Sequence, residues 1–324
     1  MVKAIQVKEY GGPDVLSYTD VDVGPPGPGE VRVRHNAIGV NFIDTYFRTG
    51  QYQAAALPFT PGNEGAGVVV AAGEGVTGFQ PGERVAYAGA IGAYAEERNI
   101  PAQFLVKLSD GVDDETAAAM MLKGLTAQYL LRRTYRVEPG FTILFHAAAG
   151  GVGLIACQWA KHLGCRVIGT VGSQEKADLA RQNGCDHVIL YRDEDFVARV
   201  KEITGGVGCE VVYDGVGRDT FPASLDCLKP FGMFVSFGAS SGPIDAFDIG
   251  VLAKKGSLYA TRPTLFTHIA RREILDAMAA ELFQAVSSGA VKIPVHHRAK
   301  LSEAADVHRA LEGRQTTGAT VMFP

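Results

Sequence analysis

The chain has 324 residues, 47% apolar and 20% charged, with a formal net charge of −4. That describes a packed globular protein long enough for two domains. It excludes a nucleic-acid partner, because no window gathers the Lys and Arg that a phosphate backbone requires. Met1 to Lys8 alternate like a first strand and lack the apolar core of a signal peptide. No stretch is long and apolar enough to span a membrane, so a cytoplasmic protein with small-molecule ligands and no membrane contact is expected. The five cysteines, Cys157, Cys165, Cys185, Cys209 and Cys227, show no paired short spacing. They read as buried small hydrophobes, not as a disulfide framework or a zinc ribbon.

The first third is rich in short β-branched runs, among them Val31-Arg32-Val33-Arg34, Gly67-Val68-Val69-Val70 and Glu83-Arg84-Val85-Ala86-Tyr87, separated by turn clusters such as Gly24-Pro25-Pro26-Gly27-Pro28-Gly29. This texture predicts a β-rich, partly barrel-like domain. From about residue 115 the texture changes. Asp113-Asp114-Glu115 opens an Ala/Met/Leu helix through Leu122, and helices then alternate with apolar strands: Val188-Ile189-Leu190-Tyr191, Glu210-Val211-Val212-Tyr213-Asp214 and Gly232-Met233-Phe234-Val235-Ser236-Phe237. Such alternation predicts an α/β domain with a doubly wound parallel sheet. Beyond Pro263 a single helical pattern over residues 267–287 precedes Val291-Lys292-Ile293-Pro294-Val295 and a last strand, Ala319-Thr320-Val321-Met322-Phe323. The tail is therefore expected to return to the β-rich domain. The expected division is residues 1–124 with 264–324 against residues 125–263.

Phe141-Thr142-Ile143-Leu144-Phe145-His146 is an apolar strand that runs into Ala147-Ala148-Ala149-Gly150-Gly151-Val152-Gly153 and then into the helical pattern from Leu154 to Ala160. Strand, tight small-residue turn and helix start are what a dinucleotide pyrophosphate needs: backbone N–H groups it can approach closely, at the positive end of a helix. Gly150, Gly151, Val152 and Gly153 are the candidate contacts. Ala148 stands where the usual pattern has its first glycine, and is small enough to keep the turn. A second apolar run, Arg166-Val167-Ile168-Gly169-Thr170, completes the unit. At the end of this second strand NAD-binding folds place an acid for the ribose hydroxyls. Here Val171 holds that place, followed by Gly172, Ser173 and Lys176, a donor and a cation suited to the 2′-phosphate of NADPH. Glu175 is the alternative ribose acid if the register shifts by a few residues; otherwise it is an exposed first-turn carboxylate favoured by the helix dipole.

Four separated stretches resemble the medium-chain dehydrogenase/reductase superfamily and, within it, the zinc-free NADPH:quinone oxidoreductases related to zeta-crystallin. They are Gly39-Val40-Asn41-Phe42-Ile43-Asp44-Thr45-Tyr46 with Arg48-Thr49-Gly50-Gln51-Tyr52; Pro61-Gly62-Asn63-Glu64-Gly65-Ala66-Gly67; Leu122-Lys123-Gly124-Leu125-Thr126-Ala127; and His146 to Gly153. The resemblance covers essentially the whole chain. It implies a GroES-like catalytic domain made from both chain ends and a Rossmann domain inserted between them. Zinc alcohol dehydrogenases of this superfamily carry metal ligands where Asn41, Asn63 and Lys123 stand here. A neutral amide is a poor zinc ligand and an ammonium excludes the ion, so no metal is expected. The lone His35, His187, His268 and His308 and the adjacent His296 and His297 are expected at surface or turn positions.

Without a metal, reduction of a ready hydride acceptor such as a quinone is the expected chemistry, with donors fixed near the oxygen that gains charge. The resemblance implies Asn41, Tyr46, Tyr52 and Lys123 in that role, with Asp44 holding the group by accepting a hydrogen bond. It also implies cofactor contacts at Asn41, Thr126 and Tyr129, at Gly151 and Val152 for the pyrophosphate, and at Tyr191 beside the adenine ribose. Val216, Phe237, Gly238 and Ser241 are implied as cleft-lining residues, with Arg314 reaching the dinucleotide, and relatives imply a homodimer. Two other readings stand beside the quinone reductase: an NADPH-dependent enone or enoyl-thioester reductase on the same scaffold, and a non-catalytic NADPH-binding protein. Arg132, Arg133 and Arg136 form the one basic group that a CoA thioester would use, or else a solvated helix face.

Overall fold

A computed structural model describes residues 1–108 and 110–324. The chain divides into two compact units, one of residues 1–125, 269–283 and 293–324, the other of residues 126–268 and 284–292. In chain order the elements begin with β1 (Val2–Val7), β2 (Leu16–Val21), β3 (Glu30–Val40), α1 (Phe42–Thr49), β4 (Glu64–Ala72), β5 (Arg84–Ala88), β6 (Glu97–Pro101), β7 (Leu105–Lys107) and α2 (Asp114–Tyr129). The middle of the chain forms β8 (Thr142–His146), α3 (Gly151–His162), β9 (Arg166–Val171), α4 (Gln174–Gln182), β10 (His187–Leu190), α5 (Phe196–Ile203), β11 (Cys209–Asp214), β12 (Leu228–Ser236), α6 (Gly250–Lys254) and β13 (Tyr259–Thr261). The remainder forms α7 (Leu265–His268), α8 (Arg272–Ser287), β14 (Val295–Lys300), α9 (Ala304–Glu312) and β15 (Ala319–Phe323).

Among the described residues, the first unit is organised by a seven-stranded sheet in the order β14-β15-β3-β4-β5-β7, with β6 also paired to β3, and by the separate β1-β2 hairpin. The long β3 alternates buried and open side chains from Glu30 to Asn36, then is buried continuously from Ala37 to Val40. Period-two alternation is the mark of a strand with one wet face, and its loss marks where other elements cover both faces. Val31, Val33, Ile38, Val69, Val85, Ile100, Leu105 and Met322 meet in the core between these strands. β15 pairs with β3 and so carries the C-terminal segment into the sheet of the N-terminal one.

The second unit holds a six-stranded, wholly parallel sheet in the order β10-β9-β8-β11-β12-β13. Counted from its first strand this is the 3-2-1-4-5-6 order of a doubly wound fold, whose direction reverses between β8 and β11. Ligands of such sheets bind beyond the carboxyl ends of the strands at that reversal.

Three elements depart from the sequence expectation. The helix expected to end near Leu122 runs on to Tyr129 and into a π turn over residues 130–134. Gly124 does not stop it, because its missing side chain makes room for Leu282, whose Cδ1 would lie 2.6 Å from a Cβ there. The tail helix is interrupted between α7 and α8, where Ile269 turns into the core. The strand expected at residues 291–295 starts at Val295 instead, since Pro294 has no N–H to give a ladder. The histidine expectation fails for two residues. His35 is buried between the Ala95 carbonyl at 2.6 Å and the Tyr87 hydroxyl at 2.8 Å, and His308 is fully buried. Each finds partners far away in sequence, which spacing along the chain does not reveal. All five cysteines are buried, and burial pushes the Cys165 thiol up to about 11.

Candidate active site

In the first unit the buried end of β3 delivers the chain directly into α1. Asn41 is the N-cap, and Asp44 three residues on accepts the Asn41 backbone N–H at 2.9 Å, one arm of a capping box. Asp44 is fully buried and also accepts from Asn63 Nδ2 at 2.8 Å and from the Tyr94 hydroxyl at 2.9 Å. Burial pushes its carboxyl up to about 6 against the pull of those three donors and of the Lys123 charge. The Asn41 side chain points its Nδ2 to Glu64 Oε2 at 2.7 Å, and the Lys123 ammonium meets the same oxygen at 2.8 Å. The other Glu64 oxygen accepts the Leu122 backbone N–H at 2.7 Å. Gly39 is required at this crossing, because a Cβ there would lie 2.4 Å from Glu64 Oε2 and 2.0 Å from the Ala118 carbonyl.

The structure thus brings Asn41, Asp44 and Lys123 into one buried network, joined through Glu64 and Asn63. Glu64 is absent from the residues expected from sequence. Its signal was a lone acid opening the small apolar run Gly65-Ala66-Gly67-Val68. Tyr46 lies on α1, and Tyr52 in the segment after it. Their rings meet edge to face at 5.3 Å, and Phe42 and Phe47 extend the contact at 5.6 and 5.8 Å. The backbone N–H of Tyr52 donates to the Tyr46 carbonyl at 3.0 Å, which fixes the turn. Asn63 Oδ1 is buried with no hydrogen-bond partner among the described residues, an acceptor left for a donor from outside the protein.

The donor set does not fit zinc. A neutral amide oxygen, which is all that Asn41 and Asn63 could offer, is a poor zinc ligand, and Lys123 places a cation where a cation would bind. Among the described residues no three His, Cys, Asp or Glu side chains gather as ligands.

In the second unit β8 ends at His146, Ala147 takes a left-handed turn at φ 56°, and Gly150 caps α3 without any side-chain cap. The first N–H groups of α3, on Gly151, Val152 and Gly153, therefore have neither helical nor side-chain acceptors, which fits a pyrophosphate. A Cβ on Gly153 would lie 2.4 Å from the Ala147 carbonyl oxygen, so only glycine lets the helix start this close to the turn. Ala148 is accommodated because Gly169 on β9 leaves space for its methyl, which a Cβ there would meet at 2.7 Å.

β9 ends at Val171, and Ser173 caps α4 by accepting the Lys176 backbone N–H. Glu175 is exposed in the first turn of α4, in keeping with a dipole-favoured carboxylate. Gly172 admits the Tyr191 hydroxyl, which would stand 2.7 Å from a Cβ at that position. Beyond β11 and β12 two loops are stitched together. Asp214 accepts the Val216 and Gly217 N–H groups at 2.7 and 2.9 Å, while Ser241 gives its hydroxyl to the Val216 carbonyl at 2.8 Å. The Phe237 ring meets that of Phe145 at a tilt, with centroids 5.5 Å apart, and Gly238 sits against the Gly215 carbonyl. Thr126 is buried on α2, and Tyr129 lies parallel to the His268 ring at 4.5 Å. Arg314 belongs to the first unit, at a left-handed backbone position just after α9.

Residues 27–110 match the model of the alcohol dehydrogenase GroES-like domain, and residues 151–279 that of the zinc-binding dehydrogenases. The quinone oxidoreductase of Pseudomonas aeruginosa is 56% identical over the full length of both chains. A 2-haloacrylate reductase from a Burkholderia species is 47% identical over 100% of this chain and 99% of its own. The crystal structure of Escherichia coli quinone oxidoreductase complexed with NADPH superimposes with a TM-score of 0.98 at 48% identity, over 99% of this chain and 100% of that one. With its β-rich and Rossmann units and full-length likeness to these proteins, the chain belongs to the quinone oxidoreductase family of the medium-chain dehydrogenase/reductase superfamily.

Proposed function

We propose that this chain is an NADPH-dependent quinone oxidoreductase that works without zinc. The observation that carries the reading is the Lys123 ammonium, held with the Asn41 amide on one oxygen of buried Glu64. It supplies fixed positive charge at the place where the zinc-dependent members hold their metal. NADPH, when bound, supplies a hydride. Gly150, Gly151, Val152 and Gly153 hold its pyrophosphate by backbone N–H groups, and Ser173, Lys176 and Tyr191 hold the phosphorylated ribose. Thr126, Tyr129, Gly172, Val216, Phe237, Gly238, Ser241 and Arg314 complete the cofactor contacts. Asn41, Tyr46 and Lys123 stabilise the negative charge that reduction places on a quinone oxygen. Tyr52 packs on Tyr46 to make an aromatic wall for a flat acceptor. Asp44 keeps the amides in place. The GroES-like part of this work falls to the first compact unit and the Rossmann part to the second.

The protein is proposed to act in the cytoplasm as a homodimer. Among the described residues no helix is long and apolar enough to cross a membrane. β13 ends its sheet with Tyr259 exposed, an edge that a second copy would cover. A second reading, reduction of an activated C=C bond, is favoured by the likeness to the 2-haloacrylate reductase.

Steady-state NADPH oxidation against quinones, enones, 2-haloacrylate and enoyl-CoA separates the readings. Turnover with quinones in the presence of chelator, and an isotope effect from only one face of deuterated NADPH, is the expected result. Robust reduction of C=C acceptors alone would promote the second reading. A charge-assisted phosphate contact is worth about 1.5–3 kcal/mol, so Lys176→Ala is expected to weaken NADPH roughly ten- to a hundredfold and to spare NADH. Equal losses for both cofactors would assign Lys176 a structural role.

A further inference from the structure

Behind Asp44 runs a second set of polar groups that the proposed reaction does not use. Arg48, on the last turn of α1, is 1% exposed. It is held by Glu312 on α9 through a two-pronged pairing at 2.8 and 2.9 Å. Its NH1 also approaches His308 Nδ1 at 3.1 Å; His308 Nε2 lies 3.1 Å from the Tyr94 hydroxyl, and that hydroxyl donates to Asp44 Oδ2 at 2.9 Å. Arginine has no acceptor, so His308 Nδ1 must accept and Nε2 must carry the proton. The Tyr94 oxygen accepts that proton's hydrogen bond, which leaves its own hydrogen for Asp44. Every donor in the series therefore points one way, from Glu312-bound Arg48 inward to the carboxylate.

We infer that Arg48, His308 and Tyr94 are positioning residues, a one-way hydrogen-bond chain from α9 that fixes how Asp44 presents its carboxylate to Asn41 and Asn63. The chain is not a proton relay. Its outer member is a guanidinium that keeps its protons, and burial beside Arg48 holds His308 far below the usual imidazole range, down to about 3. What it transmits is orientation and ionisation state. Ionised Asp44 accepts from Asn41, Asn63 and Tyr94 at once. Protonated, it turns one oxygen into a donor facing groups that also donate, and the cap of α1 that aims Asn41 is lost. The groups facing Asp44 from the surrounding elements are Asn63 before β4, Glu64 on β4, Tyr87 on β5, Tyr94 before β6, Lys123 on α2 and His308 on α9, with Arg48 on its own helix. Of these, Tyr94 donates through a hydroxyl that Tyr94→Phe removes while keeping the ring, which takes a donor from Asp44 and the acceptor from His308 Nε2. This inference rests on the proposed role of the Asn41 cluster in reduction.

The test uses the full-length protein labelled with 13C at aspartate carboxyls, the Asp44 resonance being assigned by its loss in Asp44→Asn. This resonance reports ionisation with no acceptor present, so it stands even if the quinone reading fails. In Tyr94→Phe the Asp44 midpoint is expected to rise by about one pH unit, and the acid limb of kcat to rise with it while NADPH affinity is retained. If Tyr94→Phe does not fold, Glu312→Gln carries the test: it removes the counter-charge of Arg48 and should move the midpoint down by roughly half a pH unit. A uniform fall in kcat with an unmoved midpoint would overturn the inference, leaving the chain as a structural brace. So would a shifted resonance that the kcat profile does not follow.

Discussion

Glu64 is fully buried and holds an amide and an ammonium on a single oxygen, so among the described residues its charge is matched at short range by Lys123. Removing one member of a buried ion pair leaves the other unpaired, at about 3–5 kcal/mol. Glu64→Gln is therefore expected to cost about that much in urea unfolding, and Glu64→Gln with Lys123→Met to recover most of it. Additive losses would show that the two residues do not act as a pair. The same argument explains what the sequence could display of this site. Asn41, Asp44 and Lys123 stand in motifs with recognisable spacing. Glu64 heads a run of small apolar residues, and nothing nearby in sequence indicates that its partners come from 23 and 59 positions away. The outer chain is more hidden still, since Arg48 and His308 are separated by 260 residues.

Among the elements, the parallel sheet was legible because each strand is a short apolar run bounded by a helix-length interval, and the turn after β8 because its small residues are contiguous. The misplaced boundaries have local causes that act at a distance. The Ala/Met/Leu pattern closes at Leu122 but the helix continues through Gly124, which serves as a socket for Leu282, and Pro294 lies inside an apolar run but delays the strand by its missing N–H. In the turn itself, Gly153 faces the Ala147 and Ala148 backbone, with a Cβ arriving at 2.4 Å from one carbonyl and 2.7 Å from the next. Backbone cannot rotate away as a side chain can. Gly153→Ala is thus expected to displace the start of α3, to cost about 1–3 kcal/mol of stability, and to weaken NADPH and NADH together by at least tenfold. This contrasts with Lys176→Ala, which should discriminate between them. Calorimetric titration with both cofactors decides it, and an unchanged affinity for either would show that the turn tolerates a methyl.

At the scale of the whole molecule, three buried groups of the first unit make stability depend on pH. Desolvation lowers His35 to about 4, assisted by the Arg98 charge, and lowers His308 to about 3, assisted by Arg48, both from an ordinary 6.5. The unfolded chain takes up these two protons first. Their contribution is therefore complete above pH 6.5 and is lost as pH falls toward the folded values. At 1.36 kcal/mol per pH unit this amounts to about 3 kcal/mol for His35 and about 5 kcal/mol for His308. Asp44 works in the opposite sense. Burial raises it from 3.8 to about 6, so the folded state binds its proton first, and about 3 kcal/mol of stability returns as pH falls between those values. The two histidine losses outweigh the Asp44 gain, so stability falls between pH 6.5 and 3. Urea midpoints measured by circular dichroism are expected to fall steadily across that range. His308→Gln keeps an acceptor for Arg48 and a donor for Tyr94 without titrating, so it should remove most of the loss and hold the first unit folded further into acid. A pH profile that is flat in the native protein, or unchanged in His308→Gln, would show that the buried imidazoles do not set acid stability.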